Sequence, residues 1–247
     1  MTANIKSSSE QLIFAGSGSN LEIMRLLAKE FSKSHPKFKI DVPASIGSKA
    51  GIQAVANGAI TVGLISRPLK EQEKELGLTF VPYAQTATAI AAHPTVSDKG
   101  ITSAELIEIY KGTKNHWQDG QEIIVLTREE ESSITVLEEK ISGFREVFAE
   151  SNRAKRWTTL YKDQEMNQVL AKTSDKIGLA DVGTLTSGGL LSSIKVINFN
   201  GVSPTLENLA SGKYLLSKQL AFVYQKEILP NVKAFLSFIQ SQAGKRS

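Results

Sequence analysis

"IDVPASIGSKAGIQAVANGAITVGLISRPLKEQE", residues 40–73, contains a strand, a helix and a second strand in succession. Its first part is strand-like. The stretch GSKAGIQAVANG predicts a helix that is entered through Gly47 and Ser48 and closed by Gly58. The run ITVGLIS predicts a third strand of the chain, and RPLKEQEKELG predicts a helix with Pro68 in its first turn. This order favours parallel strands covered by helices.

The same alternation extends along the rest of the chain. QLIFAG, residues 11–16, predicts a buried strand, and LEIMRLLAKEF after it has helical spacing of its apolar residues. LTFVPYAQTATAIAAHP predicts a long extended run. A capping box of Thr102 or Ser103 with Glu105 opens a helix that ends at Gly112, and a long helix is predicted from about Ser133 to about Phe148. The sequence therefore predicts an α/β protein with mainly parallel sheets flanked by helices.

The composition excludes several kinds of site. The 247 residues contain no cysteine, which rules out disulfides, zinc–thiolate sites and thiol nucleophiles. The net charge is +4, but the basic residues are scattered, so we expect no nucleic-acid partner. The three histidines, His35, His93 and His116, have no metal-ligand spacing, and no Gly-x-Ser-x-Gly nucleophile elbow is present. We expect neither a metal, nor a cofactor, nor an enzyme.

Polar residues stand at four of the predicted strand-to-helix joints. Helix N-termini have unpaired backbone N–H groups and a partial positive charge, and several of them meeting at one sheet edge form an anion site. Serine and asparagine are also the preferred caps of ordinary helices, so spacing alone leaves both interpretations open. The joints contain Ser17, Ser19 and Asn20; Ser48; Ser66 and Arg67; and Thr127, Arg128, Ser132 and Ser133.

Taken together, these segments resemble the phosphate-binding protein of the ABC-type phosphate transporter. The resemblance runs from AGSGSNLEIMRLLAKEF through SRPLKEQE, ITSAELIEIYKGTKNHWQD and IIVLTREEESS to VKAFLSFIQS. It implies a two-lobed, class II periplasmic-binding-protein-like fold with two crossover strands, near Tyr83–Ala92 and Lys213–Leu220. Lobe 1 would comprise residues 1–86 and 214–247, and lobe 2 residues 87–213.

The resemblance also implies a set of ligand residues. The family's first serine-rich loop matches GSGSN, which gives Ser17, Ser19 and Asn20, and its Gly-Ser-Gly-Gly loop matches GSKAG, which gives Ser48. The joint SRPL gives Ser66 and Arg67; some members have at the latter position an aspartate that accepts a proton from phosphate. The loop Arg-x-x-Gly-Ser-Gly-Thr matches REEESSI, which gives Arg128, Ser132 and Ser133.

The last match departs from the family pattern. Glu131 and Ser133 replace glycines, and Ile134 replaces a threonine, so one hydroxyl donor is lost. Glu130 or Glu131 could face the pocket and favour protonated phosphate, or both could lie in solvent at the helix start. The alternatives to phosphate are therefore sulfate, molybdate or tungstate, or a ligand-free or sensory relative that acts through protein contacts.

Partners and location follow from the resemblance. It implies an extracytoplasmic solute-binding protein, periplasmic or cell-surface, that delivers its anion to the permease of an ABC importer. We expect a monomer. The opening residues MTANIKSSSEQ lack the apolar core of a signal peptide, so we expect the export signal to be absent from this chain.

Overall fold

The computed structural model describes residues 11–128 and 132–241. In chain order the strands are β1 (Gln11–Gly16), β2 (Lys39–Asp41), β3 (Val62–Ile65), β4 (Thr79–Ala92), β5 (Gly100–Ile101), β6 (Ile124–Arg128), β7 (Thr158–Leu160), β8 (Lys176–Asp181), β9 (Lys195–Phe199) and β10 (Ser217–Tyr224). The helices are α1 (Leu21–Ser34), α2 (Gly47–Ala56), α3 (Glu71–Lys74), α4 (Ser103–Lys111), α5 (Ser132–Lys140), α6 (Phe144–Arg153), α7 (Asp163–Lys172), α8 (Val182–Ser187), α9 (Leu206–Ala210) and α10 (Pro230–Gln240). The predicted α/β class is confirmed.

The chain forms two compact units. The first comprises residues 1–83 and 221–247, and the second residues 84–220. The chain therefore leaves the first unit within β4 and returns to it within β10. The lobes predicted from the sequence change over at residues 86/87 and 213/214, within or close to the same two strands.

The first unit has a four-stranded sheet in the order β2–β1–β3–β10. β1 runs parallel to β2 and β3, and β10 pairs antiparallel with β3 through residues 221–223. The predicted apolar face of α1 is buried, because Leu21, Met24, Leu27, Ala28 and Phe31 recur at helical spacing. That face and α10 pack in one core. In this core the rings of Phe235 and Phe14 make an edge contact, with centroids 5.3 Å apart.

The second unit has the strand order β4–β8–β6–β7. β6 is parallel to both β7 and β8, whereas β8 and β9 are antiparallel to β4. Its main core includes Tyr110, Phe144 and Phe148. The carboxyl ends of β6 and β8, Arg128 and Asp181, lead into helices of this unit, which places polar residues at one edge of the sheet.

Two predicted helices differ from the structure. The helix predicted from about Ser133 to about Phe148 is two helices, α5 and α6, because Gly143 between them adopts φ 81°, a left-handed conformation that interrupts the helical backbone. The buried Ile141 continues the apolar spacing across this break, so the periodicity does not reveal it. Pro68 lies ahead of α3, whose residues are Glu71–Lys74, rather than in its first turn.

The predicted capping box is confirmed at α4. The Glu105 backbone N–H donates to Thr102 Oγ1 at 3.2 Å, and the Thr102 N–H donates to Glu105 Oε2 at 2.9 Å. Gly112 closes the helix with φ 79°. Across the described ranges, no helix is long and apolar enough to span a bilayer.

Candidate functional site

The first loop of the first unit is held by a close backbone approach. Gly16 ends β1 with φ 153°, and a Cβ at this position would lie 2.0 Å from the Leu64 carbonyl oxygen. Only glycine allows this contact, and the next residue uses it: the Ser17 N–H donates to Leu64 O at 2.7 Å. The turn places Ser17 directly before the 3₁₀ turn Gly18–Asn20 and the start of α1.

The structure brings four predicted serines of this unit into one hydrogen-bonded group. The Ser17 and Ser66 hydroxyl oxygens are 2.6 Å apart, and Ser19 Oγ lies 3.4 Å from Ser17 Oγ. These three side chains are buried. The Ser66 N–H donates to the hydroxyl of the half-buried Ser48 at 3.3 Å. Residues that follow β1 and β3 thus meet the first turn of α2 at the carboxyl end of the parallel strands.

Asn20 completes this group with an amide that has a fixed orientation. It is fully buried, and its Oδ1 accepts a 2.6 Å hydrogen bond from the Tyr83 hydroxyl. Its Nδ2 has no hydrogen-bond partner among the described residues. Burial raises the pKa of Tyr83 far above its ordinary value, so this phenol stays protonated and acts as the donor. Tyr83 was not predicted as a site residue.

Arg67 is engaged by a carboxylate of its own unit. Its Nη1 and Nη2 each donate to one oxygen of Glu73 at 2.7 Å, and Nη1 also donates to Pro68 O at 2.9 Å. Burial favours a raised pKa for Glu73, but the hydrogen bonds from Arg67 and the Lys70 N–H outweigh it and lower the pKa. The Arg67 charge is therefore neutralised beside the joint, and its assignment to an anion stays a prediction.

In the second unit, Arg128 is buried at the end of β6. It is 7% exposed, and its Nη1 lies 3.5 Å from Asp163 Oδ1, at the start of α7. This nitrogen has no hydrogen-bond partner in the part of the chain that the structure describes. The parallel register of β6 with β7, which pairs Arg128 with Leu160, brings α7 alongside. A buried guanidinium donor in this state suits an added acceptor such as an oxyanion.

Ser132 and Ser133 form the first turn of α5 and contact a cation that was not predicted. Both serines are buried, and Lys218 Nζ donates to their hydroxyl oxygens at 3.1 and 2.8 Å. The same ammonium lies 2.8 Å from Asp181 Oδ1. A sequence signal exists, because Leu216, Lys218 and Leu220 are alternate residues of one strand-like run and all three are buried.

Known proteins match this chain over nearly its whole length. The family model described as a PBP superfamily domain matches residues 2–243. The chain belongs to this family. The resemblance to phosphate-binding proteins is also confirmed, because Protein SphX of Synechococcus elongatus is 27% identical over 94% of this chain and 74% of its own, and Phosphate-binding protein PstS of Bacillus subtilis is 23% identical over 97% and 78%.

A solved structure also matches this chain over nearly its whole length. It comes from Clostridium perfringens and is described as a phosphate ABC transporter substrate-binding protein with bound phosphate. The two chains superpose with a TM-score of 0.85 at 25% identity, and the match covers 96% of each. The Bacillus subtilis and Clostridium perfringens relatives are binding proteins by name rather than enzymes.

The charges of this PBP domain are compensated near the predicted residues. Arg67 faces Glu73, Arg128 faces Asp163, and Lys218 faces Asp181. Each of these three cations therefore has a carboxylate within ion-pair distance. In each unit, therefore, the donors near the predicted residues are directed polar groups rather than a large net charge.

The remaining predicted features have local roles or lie outside the described residues. Glu130 and Glu131 lie outside the described residues. Ile134 is 1% exposed in the core of its unit, so the residue that replaces a family hydroxyl packs inward. His35 stacks on Phe31 with ring centroids 4.0 Å apart. Within residues 11–128 and 132–241, no group of three or more potential metal ligands is found.

Proposed function

We propose that this protein is a receptor that captures inorganic phosphate and delivers it to the permease of an ABC importer. The observation that carries the proposal is the buried donor group around Arg128 in a chain that matches a phosphate-bound relative over 96% of its length. In the first unit, the group of Ser17, Ser19, Ser48 and Ser66 and the amide of Asn20 supply donors of the same kind.

The chemistry of these groups suits a tetrahedral oxyanion. Arg128 supplies charge-assisted hydrogen bonds, and the first turn of α5 supplies backbone N–H groups and a partial positive charge. We propose that Arg128, Ser133 and the serine and asparagine donors of the first unit are phosphate ligands. The hydroxyls of Ser17 and Ser66, whose oxygens are 2.6 Å apart, can accept as well as donate, which suits a phosphate that carries a proton.

The same proposal covers partners and location. A receptor of this kind works as a monomer outside the cytoplasmic membrane and releases an unchanged ligand, so it is not an enzyme. The resemblance to the phosphate-transporter receptors supports delivery to a permease. Sulfate, molybdate and tungstate are the competing ligands, because they share the shape of phosphate and differ in protonation at neutral pH.

Isothermal titration calorimetry tests the ligand. We expect phosphate to bind more tightly than sulfate, molybdate and tungstate, because only phosphate carries a proton at neutral pH that a serine hydroxyl can accept. Arg128→Ala should weaken phosphate binding by about ten- to a hundredfold, because a charge-assisted contact contributes about 1.5–3 kcal/mol.

Arg145→Ala is the matched control for this titration. Arg145 belongs to the same unit and its side chain is 66% exposed, so its loss should leave phosphate binding unchanged. Absence of heat with all four anions would overturn the proposed function. Equal weakening by Arg128→Ala and Arg145→Ala would overturn the assignment of Arg128 to the site.

A further inference from the structure

Lys218 is a buried cation on a strand of the second unit. Its side chain is 1% exposed, and β10 places it between the buried residues Leu216 and Leu220. A buried ammonium is costly unless charges and hydrogen-bond acceptors compensate it. Three oxygens lie within 3.1 Å of Nζ, and two of them belong to residues already predicted to bind the anion.

Asp181 supplies the compensating charge. It is the last residue of β8 and the N-cap of α8, and its side chain is 3% exposed. Its Oδ1 lies 2.8 Å from Lys218 Nζ. The carboxylate therefore makes the buried ammonium tolerable. The pair also joins β8, β10 and, through the two serines, the first turn of α5.

The donors and acceptors in this group of side chains can be assigned. A lysine ammonium has three N–H donors and no acceptor, so Ser132 and Ser133 must accept from it. A hydroxyl that accepts from an ammonium directs its own hydrogen away from that cation. The lysine thus sets the direction in which both serines donate.

We propose that Lys218 is a positioning residue of the phosphate site, held by Asp181, which orients the hydroxyls of Ser132 and Ser133 as donors to the anion and adds positive charge behind them. This inference rests on the proposed function and deepens it. In this arrangement the ammonium acts on phosphate through the two serines, whereas Arg128 contacts it directly. The second unit then provides two cations to the site, one of them through hydroxyl groups.

A matched pair of variants isolates the ammonium from its structural role. Lys218→Met alone leaves a buried carboxylate without its partner and can unfold the protein. Asp181→Asn keeps a side-chain oxygen that can accept from the ammonium, together with the two serine acceptors, and urea unfolding measures what the lost carboxylate costs. The double variant Asp181→Asn with Lys218→Met has neither buried charge and differs from Asp181→Asn at residue 218 alone. Lys213→Met, an exposed position five residues earlier, removes the same charge from the same unit and serves as the control.

Phosphate affinity is measured for all of these variants by calorimetry, and urea unfolding checks that each is folded. We expect the double variant to bind phosphate at least about tenfold more weakly than Asp181→Asn, since Ser132 and Ser133 lose the ammonium that orients their hydroxyls. Lys213→Met should bind as the wild type does. A difference of less than tenfold between the matched pair would overturn the proposal while leaving the proposed function intact.

A spectroscopic measurement separates positioning from simple stabilisation. The ¹⁵N resonance of the Lys218 ammonium, assigned by its loss in the double variant, should shift when phosphate is added, and that of Lys213 should not. A Lys218 resonance that saturating phosphate leaves unmoved would overturn the proposal. If the wild type binds no phosphate in calorimetry, the proposed function fails first and this inference fails with it.

Discussion

The hydrogen bond between Tyr83 and Asn20 allows a quantitative prediction. Tyr83→Phe removes one hydroxyl and keeps the ring, which stacks on Phe222 with centroids 4.2 Å apart. The variant loses the 2.6 Å bond and leaves Asn20 Oδ1 buried without this donor. Such a loss costs about 1–3 kcal/mol of unfolding free energy. A cost of about 2 kcal/mol lowers Tm by about 4–8 °C in a chain of this size.

The same substitution should weaken phosphate binding. Because the tyrosine hydroxyl donates to Oδ1, it fixes the rotation of the Asn20 amide and therefore the direction in which Nδ2 donates. Without it the amide can rotate, so we expect a three- to tenfold higher Kd, which corresponds to about 0.7–1.4 kcal/mol. Thermal unfolding of the ligand-free protein and calorimetry with phosphate measure the two effects. Tyr224→Phe, at a half-buried tyrosine of the same unit, is the control. If Tyr83→Phe matches the wild type in both Tm and Kd, the hydroxyl does not position Asn20.

Further predictions concern the joint around Arg67 and the turn at Gly16. Glu73 has a lowered pKa in the folded protein, so its ion pair with Arg67 contributes stability above the ordinary carboxyl pKa, and this stability is lost as pH falls through the lowered value. Glu73→Gln should therefore reduce the urea midpoint at about pH 7 and have a much smaller effect at about pH 3; an equal loss at both values would contradict the ion-pair argument. Gly16→Ala should cost at least about 3 kcal/mol, because the added Cβ meets Leu64 O at 2.0 Å, whereas Gly77→Ala, with φ 66° and no atom within 4 Å of the added Cβ, should cost about 1 kcal/mol. Equal urea midpoints for these two glycine variants would show that the backbone approach at Gly16 is not tight.

Local sequence signals predicted the fold class and the positions of the serine-bearing joints. Alternating strand and helix patterns and the capping box at Thr102 depend on neighbours a few residues apart, and such signals are readable in one sequence. Gly143 marks the limit of periodicity. Its left-handed backbone divides a helix that the apolar spacing of Ile141 continues without interruption.

The residues missed by the sequence analysis reach the site from distant parts of the chain. Tyr83 is 63 positions from Asn20, and Lys218 is 85 positions from Ser133. Pairing across such distances depends on how strands are ordered within each sheet, and nothing local encodes it. The sequence contains one sign of the role of Lys218, because it is a charged residue at an inward position of an apolar strand.

The proposed function depends most directly on phosphate binding at Arg128 and the first turn of α5. A crystal structure of the protein grown with phosphate tests it most directly. We expect tetrahedral density within hydrogen-bond distance of Arg128 and Ser133. Phosphate bound away from Arg128, or no tetrahedral density at all, would contradict the proposed function.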